Sequence, residues 1–244
     1  MTQLPPALPP EIAAFDEAQR RTVGLMRAVA AALAPGMRAG DVVRLAKELA
    51  PKEGFSGWFH EPVVRIGAAI GQDPLRARLD RGELQPGTLV NIDLGPATQE
   101  AYGDLGTTLC LPGAPEPEGL PMVRELAKGC TGYCSRWKTM GEIFIFAEAW
   151  CRNRGMLLLD KDSVGHRILP LEGWHRQPAL ARLALRWRPY RLHRLNFRRM
   201  DGIFSINPTA QVGEISASFE EVVYIHEEVR RVLGRNSLDE VGTL

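Results

Sequence analysis

Cysteine is scarce in this chain of 244 residues. Its four cysteines, Cys110, Cys130, Cys134 and Cys151, are unevenly spaced and form no C-x-x-C pair, which excludes a disulfide scaffold and a thiolate zinc knuckle. Cys130 and Cys134 lie four apart in a segment read as helical and are taken as small buried residues. Charge of one sign is also lacking. Lys and Arg number 30 against 29 Asp and Glu, for a net charge of +1, so the chain as a whole has no electrostatic reason to bind nucleic acid. No apolar run approaches the roughly 18 residues of a membrane span, and the opening "MTQLPPALPPEIAAF" has neither the basic start nor the apolar stretch of a signal peptide. The expectation is a cytoplasmic protein with no membrane or nucleic-acid partner.

What is present fits one α+β domain over residues 10–244, behind a proline-rich leader at residues 1–9. Apolar spacing predicts a helix through Ile12, Phe15, Met26, Val29 and Leu33, and a second from Asp41, as N-cap, through Val43, Leu45 and Leu49. Strands are predicted in "PVVRIGAAI", "TLVNIDLG" and "LGTTLCL", further helices over 122–137 and 142–153, and late strands in "GIFSIN" and "SFEEVVYI". Between these last two groups, residues 176–199 contain eight arginines. Arg182, Arg186 and Arg194 fall at helical spacings among leucines, which reads as a solvated or oligomer-facing surface, or as recognition of a substrate carboxylate or phosphate.

The chemistry concentrates in "LVNIDLGPATQEAYGDLGTTLCL", residues 89–111. Val90, Ile92 and Leu94 share one side of a strand, so Asp93 faces the other, and Asp104 likewise opposes Leu105, Thr107 and Leu109. A hairpin centred near Thr98 and Gln99 would set Asp93 directly across from Asp104, with Cβ atoms roughly 4.5 to 5.5 Å apart. Carboxylates so close repel. The structural alternative is a pair of turn aspartates; the chemical one is a shared cation or a retained proton. Further donors lie downstream in His166 of "SVGHRI", His175 of "GWHR", and Glu220 or Glu221 of "FEEVVYI". Glu221 alternates with Glu220 and is read as structural, and His193 as surface.

The ordered set Asp93, Asp104, His166 within "GHRI" and Glu220 within "FEEVVYI" resembles the pita-bread-fold metallopeptidase superfamily, which includes methionine aminopeptidase, prolidase, aminopeptidase P and the non-peptidase creatinase. The resemblance spans roughly residues 10–230. It implies a curved antiparallel sheet covered by helices, and a metal site of Asp93, Asp104, His166 and Glu220. "GWFHEPVVRIG" is similar to the segment in which the family places a substrate-side histidine, here His60, and His175 would share that role. By the same resemblance His60, His166 and His175 are the candidate catalytic residues. One family ligand is missing: where the pattern has a glutamate in "I-E-P", this chain reads "GIFSINPTA", with Asn207 at that place, or Ser205 if the register slips by two. An amide offers only a neutral oxygen.

These departures imply one divalent ion (manganese, iron, cobalt or zinc) rather than two. The expected function is hydrolysis of an amide or related C–N bond in a small molecule or short peptide. A creatinase-like hydrolase or lyase with one metal or none, in which His166 acts as base, is the alternative, and a non-catalytic binding protein on the same fold is a third reading. A homodimer is compatible with the resemblance.

Overall fold

In the N-terminal half, two helices form because their apolar residues recur on one face. The computed structural model describes residues 8–72, 82–168 and 190–234. Helix α1, Pro10–Ala31, carries proline at its first turn, where a missing N–H costs nothing. It buries Phe15, Ala18, Thr22, Met26 and Val29, three or four residues apart. Helix α2 is Ala39–Leu49. Asp41, expected as its N-cap, instead sits in the first turn, where its carboxylate accepts the Arg38 N–H at 2.8 Å. That bond satisfies an orphan donor from inside the helix rather than from its cap.

Both helices pack on an antiparallel sheet of β1, Gly57–Ile66, β2, Leu89–Ala97, and β3, Leu105–Cys110, in the order β1-β2-β3. Val90, Ile92, Leu94 and Leu105 are wholly buried beneath the helices. The β2–β3 hairpin corrects the expected register. Asp93 pairs with Gly106 and Leu94 with Leu105, so Asp104 lies just before β3 rather than opposite Asp93. The Thr98 side chain accepts the Glu100 and Ala101 N–H groups, and the Ala97–Tyr102 bridge centres the turn on Gln99 and Glu100. Moving a hairpin centre by one residue moves every cross-strand pair by two.

The second half repeats the plan. Helices α3, Gly119–Tyr133, and α4, Met140–Asn153, pack against two further antiparallel sheets. Helix α4 opens on a capping box, with Glu142 N–H donating to Thr139 Oγ1 at 3.2 Å and Thr139 N–H to Glu142 Oε2 at 2.8 Å. Beyond its end Gly155 takes φ +65°, as helix terminators do. One sheet runs β10-β9-β6-β5, from Val229–Val232, Glu221–His226, Gly202–Ile206 and Gly165–Ile168. The other runs β4-β7-β8, from Leu157–Leu158, Thr209–Val212 and Ile215–Ser218. Cys130, Cys134 and Cys151 are free thiols buried in this core, in agreement with the reading of the first two as packing residues.

The two halves are stitched along β3. Thr108 Oγ1 donates to Ser218 O at 2.9 Å and accepts the Ser218 N–H at 3.0 Å, and Glu220 N–H donates to Gly106 O at 2.8 Å. Residues from both halves therefore meet at this seam.

Candidate metal centre

Five side chains converge there: His60 from β1, Asp93 from β2, Asp104 at the head of β3, His166 from β5 and Glu220 between β8 and β9. Asp104 is at the centre. Its Oδ1 is 3.3 Å from His60 Nε2 and its Oδ2 is 3.3 Å from His166 Nε2, while Asp93 Oδ1 lies 3.4 Å from His60 Nε2. Glu220 is wholly buried, and Ser205, directly across from His166 in the β5–β6 pair, donates its hydroxyl to Glu220 Oε1. Gly106 keeps this arrangement open, since a Cβ there would stand 3.0 Å from Glu220 Oε2.

The carboxylates are short of partners. Asp93 Oδ1, Asp104 Oδ2 and Glu220 Oε2 are buried with no hydrogen-bond donor, although leaving such an oxygen unpaired costs about 1–3 kcal/mol, more when it is charged. Proton affinities show the same deficit of positive charge. Burial alone would raise Asp104, yet the imidazoles of His166 and His60 beside it hold its carboxyl below the ordinary carboxylate range. Burial works against an imidazolium at His60, but Asp93 and Asp104 outweigh it and push the ring up to about 10. Burial, then Asp104 and Asp93, drive the Glu220 carboxyl well above its usual value. Three converging carboxyl oxygens and an imidazole are the donor set of a hard or borderline divalent cation, and the residues present fit one.

Beside the cluster opens a hollow of about 1050 Å³, whose lining includes Arg65, Asp93, His166, Arg191 and Asn207. Of the two positions considered for the missing carboxylate, Asn207 lines the hollow, whereas Ser205 is fully buried against Glu220. Asn207 Oδ1 is taken up by the Ser218 hydroxyl at 2.5 Å. His60 turns toward the two aspartates and is not part of the hollow's lining. His175, Arg182 and Arg186 lie outside the described residues. Arg194 is exposed and paired with Glu148.

Sequence reasoning missed Gln19. This buried α1 side chain donates to Asp104 O at 2.9 Å and accepts the Asp104 N–H at 2.9 Å, clamping the backbone of the central aspartate. Its signal was a glutamine on the apolar face of α1, between Phe15 and Val23.

Solved structures share this fold. X-Pro aminopeptidase from Thermotoga maritima superposes with a TM-score of 0.74 at 16% identity, over 92% of this chain and 60% of that one. Prolidase from Pyrococcus furiosus gives 0.72 at 17%, over 92% and 63%. Methionine aminopeptidase from Thermotoga maritima gives 0.70 at 19%, over 93% and 98%. The expected pita-bread architecture is thus the observed one, and the chain spans about three fifths of the length of the first two proteins. Among curated proteins no sequence match is found. The model of metallopeptidase family M24 matches residues 13–227. That match runs from α1 through β9 and takes in all five residues of the cluster, so the chain belongs to metallopeptidase family M24, a family of divalent-metal-dependent hydrolases.

Proposed function

We propose that this chain hydrolyses an amide or related C–N bond in a short peptide or small molecule, using one divalent ion held by Asp93, Asp104, His166 and Glu220. The observation that carries the reading is the convergence of three buried, donorless carboxylate oxygens beside an imidazole. When bound, the ion would lower the pKa of a water and polarise the scissile carbonyl. Glu220 Oε2 is left to the ion because the Ser205 hydroxyl engages only Oε1. Asn207, standing for the family glutamate, removes one anion from the β6 side, and its Oδ1 is already committed to Ser218. That loss favours one ion over two. Arg65 and Arg191 give the hollow a cationic wall suited to the carboxylate of a short peptide.

Metal content per chain tests the reading, measured after equilibration with manganese, iron, cobalt and zinc in turn, together with amine release from a panel of dipeptides. The expected content is about one ion in the wild type, moving toward two in Asn207→Glu, because a fourth carboxylate is restored. No ion under any condition overturns the proposal. It would favour the histidine-driven alternative with His166 as base, for which the approach of His166 Nε2 to Asp104 Oδ2 at 3.3 Å is the supporting observation.

A further inference from the structure

His60 repeats the disposition of His166. His166 Nδ1 faces the carbonyl of the next residue, Arg167, at 3.4 Å, and its Nε2 faces Asp104 Oδ2 at 3.3 Å. His60 Nδ1 faces the carbonyl of its own next residue, Glu61, at 3.0 Å, and its Nε2 faces Asp104 Oδ1 at 3.3 Å and Asp93 Oδ1 at 3.4 Å. A carbonyl oxygen only accepts, so each Nδ1 donates to it, and Nε2 is the nitrogen that each ring turns toward carboxylate oxygens. Lone pairs meeting anions repel unless a proton or a cation lies between them. A histidine that donates one ring N–H to a backbone carbonyl and offers the other nitrogen to a metal is the usual arrangement of a ligating imidazole.

Spacing agrees. Nitrogen and oxygen ligands about 2.0–2.2 Å from a shared tetrahedral ion stand about 3.4 Å apart, and His60 Nε2 is 3.3 and 3.4 Å from its two carboxylate neighbours. The backbone is shaped to hold the ring there. The β1–β2 register breaks on both sides of His60, between Trp58 and His60 and again between His60 and Val63, and such bulges re-aim side chains. Opposite His60 stands Gly95, where any Cβ would collide with the imidazole.

We infer that His60 is itself a metal ligand, forming with Asp93 and Asp104 a coordination set on the β1–β3 side that offsets the carboxylate lost at Asn207. The inference rests on the metal-dependent reading above. Adding a borderline nitrogen donor where the opposite side lost an oxygen donor shifts preference toward cobalt, zinc or iron and away from manganese.

Cobalt titration of the full chain tests it, followed by visible absorption and by proton NMR of protein carrying ¹⁵N-labelled histidine. In the wild type two exchangeable ring N–H signals should be shifted far outside the normal range, those of His60 and His166. His60→Ala and His60→Gln should each keep one, bind cobalt roughly tenfold or more weakly, and lose less for manganese than for cobalt. Circular dichroism checks that both variants fold. Cobalt bound with unchanged affinity by both folded variants, with one shifted signal in the wild type, overturns the role of His60 and leaves the metallohydrolase reading standing. Failure of the wild type to bind cobalt, manganese, iron or zinc overturns both.

Discussion

Asp160 holds its proton more tightly than an ordinary aspartate. Burial pushes its carboxyl up to about 7, against the hydrogen bond from the Thr209 N–H and the attraction of Arg65 and Arg191. An unfolded aspartate titrates near 3.8, so the folded chain binds the proton more tightly. The stability this contributes is complete below that value and drains away as pH rises toward about 7. Asp160→Asn keeps an acceptor for Thr209 and removes the charge. Urea denaturation should find the variant more stable than the wild type at pH 7.5 and no more stable at pH 4; equal stability at both would show that Asp160 stays ionised without penalty. Nothing in the local sequence "LLLDKD" distinguishes this aspartate from a surface one, because its enclosure comes from β7 and Arg191, distant in the chain.

Between elements, the decisive contact is α1 against the head of β3. Gln19 makes two hydrogen bonds to the backbone of Asp104, and Gly103 leaves room for Thr22, whose hydroxyl a Cβ would strike. Gln19→Leu strands a buried N–H and a buried carbonyl, which costs about 1–3 kcal/mol for each unsatisfied group, and frees Asp104 to move off the cluster. Calorimetry should show a lower melting temperature together with weaker metal binding. Unchanged metal affinity in the destabilised variant would mean that the hairpin alone positions Asp104. The strands β2 and β3 were legible from alternation, yet their register was not: the Thr98 turn sets it, and one residue in the turn outweighs the whole apolar pattern. Pro62 inside β1 was the available sign of a bulge beside His60, since proline cannot donate to a ladder.

At the scale of the molecule, the seam between the two halves is held by Thr108, Ser218, Gly106 and Glu220, with the carboxylates directly beside it. A cation there would tie both halves together, so removing it should lower stability as a whole and not merely loosen a loop. A ligand at 100 times its dissociation constant stabilises by about 2.7 kcal/mol, and a melting temperature several degrees lower after chelation, restored by cobalt, is the expected result. A melting temperature indifferent to chelator would place the ion off the seam. No helix among the described residues is long and apolar enough to cross a membrane. By itself the sequence determined the four helices and the longer strands, because apolar period is a local property, whereas the short strands β4, β5, β7, β8 and β10 carry too few residues to show one; it also determined the order Asp93, Asp104, His166, Glu220, because spacing along a chain needs no third dimension. Tertiary structure alone decided that Asp104 stands between two imidazoles, that Gln19 clamps it, that Asn207 rather than Ser205 faces the hollow, and that His60 turns inward. Each of these depends on strand register and on the meeting of residues tens to hundreds apart, where distance in space is unrelated to distance in sequence.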